Sequence, residues 1–293
     1  MSGLLTFSNE LAAAVEHAAC AVVGVNARRR LGSTGVHWRS GLVVTADHTV
    51  EIDEDVTVTT PDGRRIAATV AGRDPTLDLA ILRIDAGELS VADIATTPPR
   101  VGHVVLAVGR GPRASWGVIS AVGDGRRRAA AGELLGLDLI LYPGFSGGPL
   151  IDGRGHVVGI TTSGAERHRQ LAIPAAIVDR MVHELLRRGH LPRAWFGVGT
   201  QQVQLGDDLR HRLATDQRTA VIIVDVQADS PAARAGLLVG DIIVALGGSP
   251  IAEPTDLRAV LRPPQVGQTL AASIVRGGEP REVSVTVGER ARR

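Results

Sequence analysis

Between residues 20 and 160 the apolar positions come in short runs separated by glycine, proline and aspartate. The runs are Gly41–Thr45, Val56–Thr60, Arg65–Ala71, Leu79–Ile84, Val104–Val108, Gly117–Val122, Leu137–Leu141 and Val157–Thr161. Turn sequences such as Pro61-Asp62-Gly63 and Asp152-Gly153-Arg154-Gly155 lie between them. Many short strands at this spacing predict a β-sandwich or barrel rather than alternating βα units. Residues 11–25 predict a short helix running into a strand. The first amphipathic helix is Pro174–Arg188, with Ile177, Met181, Leu185 and Leu186 at helical spacing and Gly189 as its stop. After a short linker, 189–192, the pattern changes. Strands are predicted near Phe196–Val203, Ala220–Val226, Ile242–Leu246, Leu270–Val275 and Glu282–Val287. Two short helices, Pro231–Ala235 and Thr255–Leu261, intervene, the second with Thr255 as N-cap. The expectation is a mostly β domain over 1–190 and a small α+β domain over 191–293. A chain of 293 residues fits two domains at about 100–200 residues each.

Composition narrows the class. An apolar share of 44% argues against disorder. The chain has only seven aromatic residues (three Trp, three Phe, one Tyr), so Val, Ile, Leu and Ala must build the core. All 32 basic residues are arginine; without lysine a P-loop is excluded. Acids balance arginines in both halves and the net charge is +1, which leaves no nucleic-acid footprint. The triplets Arg28–Arg30 and Arg126–Arg128 read as solvated loop charge. The lone Cys20 permits no internal disulfide, and its apolar neighbours suggest a buried, inert thiol. No run reaches the ~18 apolar residues of a membrane span. Met1–Glu10 lacks a basic segment followed by an apolar one, so the expected setting is cytoplasmic; an exported form would need residues outside this sequence.

The string Tyr142-Pro143-Gly144-Phe145-Ser146-Gly147-Gly148-Pro149 carries the chemistry. Glycines around a serine let the loop fold tightly, bringing the backbone N–H groups of Gly144, Phe145 and Ser146 near one oxyanion. It also matches G-x-S-x-G, but the nucleophile elbow needs a helix directly after the serine. Here Pro149 and the Asp152–Gly155 turn follow instead. A serine between strands fits a chymotrypsin-like double barrel, which requires an upstream base and carboxylate. His48 ends the run Gly41–His48, and Asp78 opens the run to Leu82. The histidine would take the serine proton and the aspartate would orient the imidazole. Two decoys fail: Gly109–Ala114 precedes a strand rather than a helix, and His183–Arg187 lacks the second histidine of a zinc helix. No metal and no cofactor is expected.

At TADHTV around His48, DPTLDLAILRI around Asp78 and DLILYPGFSGGPLID around Ser146, the chain resembles the HtrA/Deg family of trypsin-like serine proteases with a C-terminal PDZ domain. GVISAVG (117–123), LAIPAAIVDRMVHELL (171–186), WFGV (195–198) and PAARAGLLVGDIIVALGG (231–248) extend the resemblance over nearly the whole chain. It implies an endopeptidase acting on unfolded polypeptides, commonly assembled as a trimer through N-terminal aromatics, although Phe7 is the only aromatic in the first 30 residues. It places Ile140 at the base of the S1 pocket, which favours cleavage after small or medium apolar residues. It makes Trp195, Phe196, Gly197 and Val198 the carboxylate loop of a groove for C-terminal peptides. Leu257 or Leu261 would face the terminal side chain.

The sequence departs from the family at two places. Phe145 stands where asparagine is usual. Asp47, Glu51, Asp53, Glu54 and Asp55 crowd His48, and nearby carboxylates would favour its charged form. A catalytically weak or inactive barrel that acts through peptide binding is the second reading.

Overall fold

The computed structural model describes residues 3–28, 32–75, 77–111, 113–123, 134–163, 169–189, 194–261 and 265–290. The triplet Arg126–Arg128, most of Arg28–Arg30 and most of the linker lie outside these residues. The fold divides into two compact units, the first through residue 191 and the second from residue 192.

Helix α1 (Gly3–Ala19) opens the first unit and runs into β1 (Val22–Asn26). Strands β2 (Ser33–Arg39), β3 (Leu42–Thr45), β4 (Thr57–Thr59), β5 (Arg65–Asp74) and β6 (Leu79–Ile84) close with β1 into a barrel of order β1-β2-β3-β6-β5-β4. A second barrel follows from β7 (Val104–Gly109), β8 (Arg113–Val122), β9 (Leu135–Asp138), β10 (Pro149–Ile151), β11 (Val157–Thr162) and β12 (Leu171–Pro174), in the order β10-β11-β12-β9-β8-β7. This is the expected chymotrypsin-like architecture. Closure leaves neither sheet a free edge.

The apolar runs are continuous because both faces of the strands are covered. On β3, Val43 enters the interior of the first barrel, whereas Leu42 and Val44 join a core shared with the second. On β6, Ala80 and Leu82 face inward and Leu79 and Ile81 outward. Val105 and Ala107 of β7 fill the second barrel, while Leu106 and Val108 meet the shared core. Each Val, Leu or Ile among them, fully buried, contributes about 1.5–3 kcal/mol. Helix α2 (Ala175–Arg188) lays Ile177, Met181 and Leu185 on the shared core. Asp179 ties it down by accepting from Trp38 Nε1 at 2.8 Å and Arg39 Nη2 at 2.7 Å. Gly189 ends it in the left-handed region (φ 74°), its N–H donating to Leu185 O at 2.8 Å.

The second unit contains β13 (Ala194–Trp195), β14 (Val198–Gln204), α3 (Asp207–Leu213), β15 (Thr219–Val226), α4 (Pro231–Arg234), β16 (Ile242–Leu246), β17 (Ser249–Pro250), α5 (Pro254–Val260), β18 (Thr269–Arg276), β19 (Glu279–Thr286) and β20 (Gly288–Glu289). Its main sheet runs β14-β15-β16-β18-β19, which leaves β14 at an edge.

Three expectations change. The N-cap of α5 is Glu253 in a capping box with Asp256, whose Oδ2 accepts the Ala252 and Glu253 N–H groups at 3.0 Å. Thr255, the expected cap, falls inside the helix, and its hydroxyl has no partner among the described residues. The run expected at Leu137–Leu141 pairs as Leu135–Asp138. Cys20 is exposed, because it follows α1 at the surface rather than entering the strand. Among the described residues no helix is long and apolar enough to cross a membrane.

Candidate active site

His48, the candidate base, lies in a single 3-10 turn, Asp47–Thr49, that follows β3. Asp78, just before β6, is left-handed at φ 57°. That conformation is unfavourable for most residues and tolerated best by Asn and Asp. The strain is offset locally. The Asp47 N–H donates to Asp78 O at 3.1 Å and the His48 N–H to Asp78 Oδ1 at 2.8 Å. The remaining oxygen, Oδ2, accepts His48 Nδ1–H at 2.7 Å and the hydroxyl of Thr162. With Asp78 ionised, Nδ1 carries the proton and Nε2 is left as the acceptor of a general base. The His48 side chain is one-third exposed and that of Asp78 is 7% exposed, so the carboxylate is dry while the base meets solvent.

The serine loop consists of two turns in succession. Pro143 supplies a fixed φ and Gly144 a φ of 92°, and the first turn closes when the Phe145 N–H donates to Tyr142 O at 3.0 Å. In the second, Ser146 precedes Gly147 (φ 85°), and the Gly148 N–H donates to Phe145 O at 2.8 Å. A Cβ on Gly147 would strike Thr34 O and Thr45 Oγ1, so only glycine fits. Phe145 is buried in the second barrel, its ring pressed on Gly109. Thr34 clamps the loop from the first barrel: its N–H donates to Ser146 O at 3.2 Å and its hydroxyl to Gly144 O at 2.6 Å.

Of the three amides expected at the oxyanion site, that of Phe145 is committed to its turn. Those of Gly144 and Ser146 have no acceptor among the described residues. Ser146 Oγ shares a hydrogen bond with Ser163 Oγ at 2.8 Å, and no hydrogen bond joins it to His48.

Two carboxylates of the acidic run near His48, Asp47 and Asp53, share one counter-charge. Asp47 is buried and ion-paired with Arg73 Nε at 2.5 Å, and Arg73 Nη1 reaches Asp53 at 3.0 Å. Burial works against the Arg73 cation, but Asp47 and Asp53 outweigh it and hold its pKa above the ordinary value. Arg73 thus neutralises the carboxylate that the sequence set beside the base.

Ile140 is 60% exposed. In the second unit Phe196 is buried in the core and Trp195 half-buried. Gly197 is left-handed at φ 82°, and a Cβ there would collide with Ser230. Val198 begins the edge strand β14, with α5 packed beside it. Leu257 of α5 is buried in the core and Leu261 packs against it. No three His, Cys, Asp or Glu side chains among the described residues are grouped to hold a metal ion.

The motifs did not reveal Thr34, Arg73, Thr162 or Ser163. A threonine in a strand reads as β-branched filler, and only the folded register turns these hydroxyls onto the site.

A trypsin-like peptidase domain model matches residues 33–160 and a PDZ domain model residues 197–287. Curated relatives include a probable periplasmic serine endoprotease DegP-like from Brucella suis biovar 1, 32% identical over 87% of this chain and 52% of its own length. Another, from Halomonas elongata, is 31% identical over 89% of this chain and 57% of its own length. The chain therefore spans about half the length of the curated relatives it matches. The crystal structure of the serine endoprotease from Yersinia pestis superposes with a TM-score of 0.68 at 30% identity, covering 96% of this chain and 98% of that one. The HtrA-type protease AlgW with a decapeptide gives 0.70 at 25% identity, covering 97% and 99%. With both barrels and the PDZ-like sheet accounted for, the chain belongs to the HtrA/Deg family of trypsin-like serine endoproteases.

Proposed function

We propose that this chain is a serine endopeptidase cleaving unfolded polypeptides through an acyl-enzyme, with its second unit capturing apolar C-termini. One observation carries the reading. Asp78 fixes the ring and the backbone of His48 beside a glycine-turned serine loop with two uncommitted amides. Ser146 Oγ would attack the scissile carbonyl as His48 Nε2 takes its proton. The Gly144 and Ser146 N–H groups would hold the oxyanion, and Asp78 would stabilise the imidazolium. His48 then protonates the leaving amine, and water, deprotonated by the same nitrogen, releases the acyl group. Ile140 supports a preference for small or medium apolar residues at the acyl side. The naming of its relatives as periplasmic supports an exported setting over a cytoplasmic one.

The Ser146–Ser163 hydrogen bond favours a second reading, an inactive barrel that serves peptide binding. A fluorophosphonate probe separates the two. Wild-type protein should label and hydrolyse casein, and Ser146→Ala should do neither while keeping its circular dichroism. Labelling that survives in Ser146→Ala removes the assignment; a wild type that never labels leaves the binding role.

A further inference from the structure

We propose that Arg110 and Arg113 form a carboxylate-binding subsite beside the serine loop, selecting peptides with an acid close to the scissile bond. The use of that subsite in cleavage rests on the protease reading above. Two cavities of about 640 and 660 Å³ both have Arg110 and Arg113 in their walls. The larger is floored by Tyr142, Pro143, Gly144 and Phe145, the first turn of the serine loop. Among the described residues neither wall contains an aspartate or glutamate.

The two guanidinium groups also lack a carboxylate partner among the described residues. Arg110 bonds through its backbone N–H to Thr34 Oγ1 at 3.1 Å, and the Arg113 guanidinium carbon stands 5.5 Å from the Phe145 ring centroid. Arg39, Arg73 and Arg276, by contrast, each meet an aspartate at 2.7 Å or less. The surroundings accommodate both cations. A Cβ on Gly32 would come within 2.8 Å of Arg110 Nη1, and one on Gly24 within 3.3 Å of Arg110 Cδ. Arg110 therefore lies across two glycines. Phe145, where the family usually has asparagine, offers Arg113 a ring face.

Position defines the ligand. A Cβ on Gly144 would lie 3.5 Å from Arg113 Nη2, and Gly144 carries one of the two free amides. An extended chain advances about 3.3–3.6 Å per residue, so a carboxylate held there belongs within about three residues of the scissile bond. The guanidinium fork matches a carboxylate in two-point geometry. The ligand is an acidic side chain or the free C-terminus of a short segment.

The test compares kcat/KM for peptides that differ only by Glu or Gln at each of the three positions on either side of the cleaved bond. All carry C-terminal amides, which keeps the second unit's groove out of the comparison. A second series places a free or amidated terminus at the same distances. Wild-type protein should prefer the acid by about tenfold at one position or terminus, less at high salt. In Arg110→Gln/Arg113→Gln the ratio should fall to about one. Arg113→Glu should turn the preference toward Lys, a reversal that a misfolded protein cannot produce. A wild-type ratio near one at every position, or a ratio that survives in the double variant, overturns the subsite. If no peptide is cleaved and no probe labels Ser146, the protease reading fails. The same ratios, read as peptide anisotropy on full-length Ser146→Ala, then decide the subsite separately.

Discussion

Ser163 presents a hydroxyl to Ser146, the proposed nucleophile. When Ser146 is the donor in its hydrogen bond with Ser163 Oγ at 2.8 Å, its proton is turned away from His48, and a neutral hydrogen bond of this kind is worth about 0.5–1.5 kcal/mol. Ser163→Ala should therefore raise the second-order rate of fluorophosphonate labelling by about two- to tenfold. An unchanged or lower rate would mean that Ser163 supports the reactive geometry instead. Thr162, one residue earlier, donates its hydroxyl to Asp78, the carboxylate that holds His48 Nδ1. Two adjacent hydroxyls at and just past the end of β11 thus touch two different members of the proposed triad.

Within the second unit, the turn from Leu238 to Asp241 is locked to β18. Asp241, 1% exposed, accepts from the Leu238 N–H at 2.8 Å and from Arg276 Nε and Nη2 at 2.7 Å each. Burial pushes its pKa up, but the Arg276 bonds and the Leu238 N–H outweigh this and hold it below the usual carboxylate value. The folded pKa is therefore the lower one. The contribution to stability is complete above the unfolded value of about 3.9 and fades as pH falls through the folded one. Asp241→Asn should cost about 1.5–3 kcal/mol in urea unfolding at pH 7, and the gap from wild type should narrow at pH 3. Equal gaps at both pH values would show no proton linkage at this pair. The sequence disclosed some elements better than others, for reasons the packing explains. Leu79–Ile84 stood out because both of its faces are covered. Ser33–Arg39 did not, because its buried Ser33, Thr34 and His37 break the apolar run. His37 is satisfied instead by Ser90 O at 2.8 Å and the Gly41 N–H at 3.1 Å. The strand Pro149–Ile151 was hidden by its leading proline. His48, Asp78 and Ser146 were legible because turn glycines and strand ends mark them. The counter-charge on Asp47 was not, since Arg73 lies 26 residues away and arrives only through the pairing of β5 with β6.

Across the whole molecule, the proposed catalysis and capture would fall to separate units. His48 and Asp78 come from one barrel, Ser146 and Thr162 from the other, and β14 offers an unpaired edge in the second unit. Under the proposed reading an extended peptide would add to the sheet there, its terminal carboxylate received by the loop around Gly197. Full-length Ser146→Ala should bind peptides ending in an apolar residue, and amidating the terminus should weaken binding by about tenfold or more. Equal affinities for the two forms would remove the groove assignment. The surface placement of Cys20 has a practical consequence. It is the one thiol in the chain, exposed, and in the wall of the cavity that Arg110 and Arg113 share. A maleimide dye would attach there at a single, known address without any engineered cysteine, placing a fluorescent reporter beside that cavity in the otherwise native protein.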